Sequence, residues 1–257
     1  MDISIVTICK NSEHNIQETI DSVLGQKDIN YEYIIIDGKS SDKTVDIINS
    51  MISSNRRVKF ISENDQGISE AMNKGGVLAQ GKLLFFLHSG DVLCSDHVLF
   101  NVRESYCKFN WNWASGNLIL TRRGKLIQGI KYSPDKLKRL KYKNCIPHQS
   151  TFITKNLFDR SNGFDVSLKQ AMDYHLWLKL KYIYEVDNFK LTQDIASFDV
   201  DGESSSLIPL LRGNIEAHAK IKKINNSITW FNTTILVLGL IYHWLKYRFY
   251  FFLNRFK

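Results

Sequence analysis

The first hundred residues of the chain repeat one pattern, in which an apolar run is followed by a segment with apolar side chains at helical spacing. The runs at 3–9, 31–36 and 82–87 are apolar on both faces, as expected of strands that are buried on both sides, and 58–61 is a fourth strand candidate. Segments 11–26, 45–52 and 68–78 have helical periodicity. This alternation predicts an α/β fold with a mostly parallel central sheet and helices on both faces.

Acidic residues follow three of these predicted strands. Asp37 comes directly after Ile34–Ile36, Asp65 closes the run that follows the third strand, and Asp91 lies just beyond the strand at 83–87. Ligands of open parallel sheets bind outside the carboxyl ends of the strands. The sequence therefore predicts a binding site at this rim, with these carboxylates facing it.

Each of these carboxylates has more than one interpretation. Asp91 fits a ligand of a divalent metal that bridges a diphosphate, and it fits a turn or helix-capping residue equally well. Asp37 fits a hydrogen-bond acceptor for a base or ribose, or a residue that only caps the loop at 38–44. The pattern alone does not choose between these roles.

Residues 65–75 carry several features of a ligand-binding site close together in the sequence. Gly67 permits a tight turn, and the helix after it offers an N-terminus that can bind an anion. Asn73 and Lys74 face either a ligand or solvent.

The chain changes character after Asp91. Segments 111–120 and 125–130 predict a hairpin with its tip at 122–124, and Ala171–Ile183 predicts a helix. Composition becomes aromatic and basic near Asn225-Asn226. We therefore expect a catalytic-type domain over 1–225 and a separate C-terminal segment over 226–257.

Charge is concentrated in that C-terminal segment. The formal net charge is +8, and residues 220–257 carry seven basic and no acidic side chains, which leaves +1 for 1–219. Nucleic-acid binding is disfavoured, because such proteins usually carry a basic patch on the folded body.

The uncharged stretch 229–245 is shorter than the roughly 20 residues of a spanning helix, and aromatic and basic residues follow it. This favours an amphipathic helix lying on a membrane surface over one that spans the membrane, while a span, and packing against the body or in a dimer, stay open.

The cysteines and the N-terminal residues indicate the cellular compartment of the protein. Cys9, Cys94, Cys107 and Cys145 are widely spaced, which is typical of thiols in a reducing compartment and of neither a disulfide framework nor a zinc site. The apolar run at 3–9 is too short for a signal sequence and lacks a basic flank. We expect a cytoplasmic protein, peripheral on the inner face of the cell membrane.

Seven blocks of residues, taken in order, carry a family resemblance. They resemble the family 2 glycosyltransferases of the GT-A fold over about residues 3–205, and in particular the bacterial members that build exopolysaccharide, O-antigen or lipopolysaccharide. The blocks are Val6-Thr7 with Asn11; Ile36-Asp37-Gly38 with Ser41-Asp42 and Thr44; Asn64–Ile68; Ala71–Gly75 with Ala79 and Gly81; Leu87–Asp91; Pro147–Ser150; and Asp173-Tyr174.

The resemblance implies an activity and a set of site residues. The activity is inverting transfer of a sugar, by single displacement, from a nucleotide-sugar donor (by default a UDP-sugar) to a hydroxyl of a glycan or lipid-linked acceptor, with Mn²⁺ or Mg²⁺. It makes Asp91 the metal ligand and Asp173 the base. Donor contacts then fall to Thr7, Asp37, Asp65, Gly67, Asn73, Lys74, Ser89, Gly90 and His148, with His148 facing the diphosphate or the metal.

Two positions depart from the family pattern. Ser89 replaces the usual first acid of the metal motif, which leaves Asp91 as the sole carboxylate ligand. Met172 replaces the acid that precedes Asp173 in many relatives. These departures keep open a non-catalytic nucleotide-sugar-binding or membrane scaffold protein, and a homo-oligomer also stays open. A nucleotidyltransferase is disfavoured, because Lys10-Asn11-Ser12 supplies no glycine-rich phosphate loop.

Overall fold

The computed structural model describes residues 1–52, 57–122, 125–130, 134–199, 207–226 and 228–254. Its first half consists of the predicted alternation of strands and helices. In chain order these are β1 (Ile3–Cys9), α1 (Ile16–Leu24), β2 (Tyr31–Asp37), α2 (Thr44–Ile52), β3 (Val58–Ser62), α3 (Ile68–Leu78) and β4 (Leu83–Phe86).

These four strands form a parallel half-sheet in the order β3-β2-β1-β4. Cys9 pairs in register with Asp37, and Asp37 pairs with Ser62. The carboxyl ends of the strands therefore meet at one edge, as predicted.

The second half of the sheet is mixed. Its elements are β5 (Val92–Leu93), α4 (Val98–Phe109), β6 (Trp113–Arg122), β7 (Lys125–Ile130), β8 (Thr151–Thr154), α5 (Lys155–Arg160), α6 (Met172–Tyr182) and β9 (Phe189–Asp199).

The sheet continues from β4 in the order β8-β6-β9-β5, with β7 paired to β6. The prediction of a mostly parallel sheet thus holds for the first half, while β8 runs antiparallel to β4 and β6. A short 3₁₀ turn at His148–Ser150 leads directly into β8.

The predicted hairpin and the predicted helix after residue 170 are both present. β6 and β7 pair antiparallel, and the predicted tip residues 123 and 124 lie outside the described residues. α6 begins one residue later than predicted and ends one residue earlier.

The core lies on both faces of the sheet. Ile3 and Ile35 face one cluster, with α1, α2 and α4, while Val6 and Ile36 face the other, with α3, α5 and α6. Burial on both faces explains why β1 and β2 are almost continuously apolar.

Two helices complete the described chain, α7 (Leu207–Ile224) and α8 (Trp230–Asn254). The predicted boundary at residue 225 falls in the turn between them. α8 is nevertheless joined to the body, because Ile228 and Leu236 are buried in the same cluster as α6. Within the part of the chain that the structure describes, no helix has both the length and the apolar character needed to cross a bilayer.

Candidate active site

The loops after β1 and β2 are joined by hydrogen bonds. The Asn11 backbone amide donates to Ser40 Oγ at 2.8 Å, and Asn11 Oδ1 accepts from the Ser41 amide at 2.9 Å. The Ser12 amide donates to Thr44 Oγ1 at 2.7 Å. Together these bonds make one wall at the carboxyl edge of the sheet.

Asp37 is fully buried beneath this wall. Its carboxylate accepts from the Ser40 amide at 3.0 Å, from the Ser40 hydroxyl, and from Ser62 Oγ at 2.6 Å, with Cys9 Sγ 3.7 Å away. A buried carboxylate needs such partners. The contacts match the loop-capping interpretation of Asp37. Contact with a donor stays a prediction, and it requires one serine hydroxyl to turn away.

A cleft of about 550 Å³ opens beside this wall. Its volume is in the range of small-molecule sites. Three chain segments line it: the end of β1 and its loop, the β3–α3 loop with the first turn of α3, and the end of β4. The lining residues are Ile8, Cys9, Lys10, Ser12, Asp65, Gln66, Gly67, Ile68, Ala71, His88 and Ser89.

Gly67 directs the first turn of α3 toward this cleft. It precedes the helix with φ 140°, a conformation that favours glycine. The Gly67 amide donates to Asp65 Oδ1 at 3.0 Å, and the Gln66 amide donates to Glu70 Oε2 at 2.6 Å. Residues 66–68 line the cleft, so the helix presents its positive end to it, with the Asp65 and Glu70 carboxylates bonded to two of the amides there.

A tight turn after β4 positions the next group of residues. The Ser89 amide donates to the Ile8 carbonyl at 3.2 Å, and Ser89 Oγ donates to Ser12 Oγ at 2.8 Å. Gly90 takes φ 94°, and its amide donates to Thr19 Oγ1 at 2.9 Å. The turn closes where the His88 amide donates to Asp91 Oδ2 at 3.2 Å.

Asp91 belongs to a cluster that can hold a metal ion. One ligand atom each from His88, Asp91 and His148 lie within 4.8 Å of one another. The imidazole rings are 4.4 Å apart, and the Nε2 atoms of both are buried with no hydrogen-bond partner in the part of the chain that the structure describes. Buried polar atoms normally have partners. Two imidazole nitrogens and a carboxylate form a ligand set suited to Mn²⁺ or another first-row divalent metal.

His148 reaches the cluster from far along the chain. It follows Pro147 in the 3₁₀ turn that leads into β8. Trp177 Nε1 donates to the Ile146 carbonyl at 3.2 Å, and Thr151 Oγ1 donates to the Pro147 carbonyl at 2.7 Å. These bonds fix the backbone just before His148, whose ring packs against that of His88.

Asp173 lies in the first turn of α6, next to His148. Its Oδ2 is 3.7 Å from His148 Nδ1 and accepts from Asn144 Nδ2 at 3.4 Å, while Oδ1 accepts from the Tyr174 amide at 2.7 Å. Burial raises the pKa of Asp173, but His148 and these donors outweigh burial and hold the pKa below its usual range. Asp173 is therefore ionised at neutral pH.

The pKa values within the cluster are also displaced. Burial raises the pKa of Asp91 to about 7, against the attraction of His148 and the bond from the His88 amide. Burial, and secondarily the proximity of His148, hold the pKa of His88 well below its usual range. A desolvated carboxylate and a neutral imidazole are both groups that a divalent cation stabilises.

Of the nine predicted donor residues, three line the cleft, namely Asp65, Gly67 and Ser89, and six do not, namely Thr7, Asp37, Asn73, Lys74, Gly90 and His148. Three of these six, Thr7, Asn73 and Lys74, make contacts elsewhere in the fold. Thr7 is buried in β1, where its Oγ1 accepts from the Tyr33 hydroxyl at 2.9 Å. The Asn73 side chain exchanges two hydrogen bonds with the backbone of Phe164, at 2.8 and 2.9 Å. Lys74 Nζ lies 3.0 Å from Glu63 Oε1 and 3.1 Å from the Asn64 carbonyl. These contacts support the fold around the site, and donor binding by the three residues stays a prediction.

Several site residues were not singled out by the sequence. His88 lies within the Leu87–Asp91 block of the resemblance but was given no role there. Asn144 and Cys9 were not predicted at all. Cys9 ends β1 beside Asp37, so the rule that placed Asp37 at the rim also covers Cys9. For Asn144, the sequence held no signal.

The fold and the site together define a class of protein: a GT-A enzyme that acts on a nucleotide-sugar. The comparison with known proteins gives the family. The chain belongs to glycosyl transferase family 2, whose model matches residues 4–153. It is a glycosyltransferase, as the resemblance implied.

One relative and two solved structures illustrate the match. The Escherichia coli UDP-Glc:alpha-D-GlcNAc-diphosphoundecaprenol beta-1,3-glucosyltransferase is 28% identical over 181 residues, covering 69% of each chain. S. aureus TarS 1–349 in complex with UDP-GlcNAc has a TM-score of 0.66 at 17% identity, covering 92% of this chain and 70% of that one. The Pyrobaculum calidifontis mannosyltransferase PcManGT in complex with GDP-Man and Mn²⁺ has a TM-score of 0.65 at 15% identity, covering 86% and 64%. At these identities the two structures show the shared fold.

Proposed function

We propose that the chain transfers a sugar, with inversion, from a nucleotide-diphosphate-sugar to a hydroxyl of a glycan or lipid-linked acceptor in bacterial surface polysaccharide synthesis. The observation that carries this proposal is the juxtaposition of the ionised Asp173 with the His88–Asp91–His148 cluster, of which His88 lines the cleft. Charge-stabilising and proton-accepting groups thus lie side by side, as displacement of a diphosphate requires.

His88, Asp91 and His148 would hold a divalent cation, Mn²⁺ or Mg²⁺. When bound, the cation offsets the negative charge that develops on the leaving diphosphate. Asp91 supplies the only carboxylate of the cluster. The imidazoles of His88 and His148 take the place of the acidic residue that the family usually has at the position of Ser89. The nitrogen ligands favour Mn²⁺, since Mg²⁺ prefers oxygen.

Asp173 would accept the proton of the acceptor hydroxyl. It is ionised at neutral pH and lies next to a cluster residue, so an acceptor that contacts it would approach the donor beside the diphosphate. A base must come within about 3 Å of the proton it removes, and its partly exposed side chain permits that approach.

The nucleotide would occupy the cleft at the end of β1. The positive end of α3 suits its phosphates, while Asp65 and Lys10 line the part that faces the loops. UDP is the favoured nucleotide, because TarS binds UDP-GlcNAc and the E. coli relative is named for UDP-Glc. That relative's diphosphoundecaprenol substrate makes a lipid-linked acceptor the first to test.

The test is a transfer assay with the full chain. UDP-Glc, UDP-GlcNAc and GDP-Man are each incubated with Mn²⁺ and a lipid-diphosphate-linked N-acetylglucosamine, and NMR gives the anomeric configuration of the product. Transfer from an α-linked donor to give a β-linked product supports the proposal, and an α-linked product would exclude inversion. Donor binding without transfer or hydrolysis would instead favour a non-catalytic protein.

A further inference from the structure

The outward face of α8 is apolar. Trp230, Phe231, Leu238, Tyr242 and Leu245 are each between 55% and 71% exposed. Their spacing places them on one side of the helix. An exposed row of large apolar residues of this length is unusual on a soluble protein and marks an interaction surface.

The inward face of the same helix is already occupied. Leu236 is buried in the core cluster together with Ile228, and Asn232 is buried where its Oδ1 accepts from the Thr229 amide at 2.8 Å. Because the inward face is fixed, α8 cannot rotate to bury its outward row in the same chain.

An apolar groove between α7 and α8 extends this surface. Its volume is about 430 Å³, and it is bounded by Ile215, Ala219 and Lys222 of α7 and by Trp230 and Leu238 of α8. We call the outward row and this groove together the α7–α8 face. Ile208, near the start of α7, is also 78% exposed.

The exposed charge next to the groove of the α7–α8 face is mainly positive, since Glu216, the acidic residue of α7, pairs with Arg212. Lys222 and Lys223 are exposed at the end of α7, and no acidic residue follows Glu216 in the sequence. A second copy of the chain would bring like charges together across a shared interface. An anionic surface instead gains from both the lysines and the apolar row.

We propose that the α7–α8 face docks onto an anionic lipid bilayer, with α8 lying in the plane of the interface. Trp230, Phe231 and Leu238 enter the boundary between headgroups and acyl chains, while Lys222 and Lys223 contact the headgroups. The proposal stands on these two helices and does not depend on the sugar-transfer activity.

Docking at this face is mechanically connected to the site. His218 of α7 lies 3.0 Å from Thr233 Oγ1 on α8 and 2.9 Å from the Tyr174 hydroxyl on α6. Tyr174 follows Asp173 directly. A bilayer that holds α8 therefore also fixes the orientation of the helix that carries the proposed base.

The test is co-sedimentation of the full chain with vesicles of phosphatidylcholine alone or mixed with phosphatidylglycerol. We expect binding to the mixed vesicles that weakens at high salt. Lys222→Gln with Lys223→Gln should lower the affinity roughly tenfold or more, at about 1 kcal/mol per lysine. Phe231→Ser with Leu238→Ser should lower it at least as far. Val166→Ser, at an exposed apolar residue outside the face, is the matched control.

Three outcomes would overturn the proposal. They are no binding to the mixed vesicles, equal binding of the variants and the wild type, and a concentration-dependent dimer abolished by Phe231→Ser with Leu238→Ser in the absence of lipid. The last would assign the face to a second copy. Because the substituted side chains point outward, thermal unfolding should be nearly unchanged and would reveal any variant that fails to fold.

Discussion

At the scale of single residues, the candidate site contains two buried nitrogen atoms that have no hydrogen-bond partner among the described residues. These are the Nε2 atoms of His88 and His148, and both histidines have a ligand atom within 4.8 Å of one of Asp91. The sequence predicted Asp91 from its position after a buried strand. The sequence could not place the two histidines together, because they are far apart in the chain. His88 follows β4 and His148 precedes β8, and the pairing of β8 with β4 brings them together.

Replacing Asp91 tests the cation site. Asp91→Asn removes the only carboxylate of the cluster, so Mn²⁺ affinity measured by calorimetry should fall by roughly tenfold or more. Asp96→Asn is a matched control, since Asp96 is exposed and pairs with Lys27. Equal loss in both variants would show that the effect is one of overall charge.

Replacing Asp173 tests the base. Asp173→Asn keeps the size of the side chain and removes the proton acceptor, so kcat should fall by about 10²–10⁴ with little change in the affinity for the donor. Asp187→Asn is the control, at a surface carboxylate paired with Lys181. A wild-type rate in Asp173→Asn would refute the assignment of the base.

At the scale of elements, the sequence predicted the strands and helices whose apolar residues follow a clear pattern. β1, β2, α3 and α6 appear within a residue or so of the predicted bounds, because each is long or strongly apolar. β8 has only four residues, which are too few to show a period. β9 is a strand of the mixed half of the sheet, and only some of its positions are buried. Apart from the β6–β7 hairpin, the mixed half of the sheet therefore did not follow from the pattern.

The attachment of α8 can be tested with two leucines of the same helix. Leu236 is buried and Leu238 is exposed. Leu236→Ala should lower the free energy of unfolding by about 2–5 kcal/mol, because it leaves a cavity in the core, whereas Leu238→Ala should change it by less than about 0.5 kcal/mol. Chemical denaturation measures both. Equal effects would mean that α8 does not pack as described.

The stability that the contact among α6, α7 and α8 gives to the folded chain should also depend on pH. Burial lowers the pKa of His218 to about 4, below the value of about 6.5 for an unfolded chain. The unfolded state therefore takes up the proton first, so stability is full above pH 6.5 and declines as the pH falls toward 4.

Denaturation at several pH values measures this decline, which should be on the order of 3 kcal/mol for His218. His175, whose pKa burial also lowers to about 4, adds to it in the same direction. His218→Gln should reduce the slope and leave the part that His175 contributes. An unchanged slope in that variant would contradict the role of His218.

At the scale of the whole molecule, the chain combines the cleft of the candidate site with an apolar surface that has basic residues beside it. The cleft lies at the carboxyl edge of the parallel half-sheet, where the sequence predicted it. The buried contact of Tyr174, His218 and Thr233 joins the helix of the proposed base to the proposed lipid-binding face. A lipid-linked acceptor and the enzyme would then meet at the same membrane surface.

The central claim is that His88, Asp91 and His148 hold a cation on which donor binding depends. Calorimetric titration of UDP into the full chain, with and without Mn²⁺, tests this claim most directly. We predict that Mn²⁺ tightens UDP binding by roughly tenfold or more in the wild type and has little effect in Asp91→Asn. UDP binding of equal strength with and without Mn²⁺, or an undiminished Mn²⁺ effect in Asp91→Asn, would contradict it.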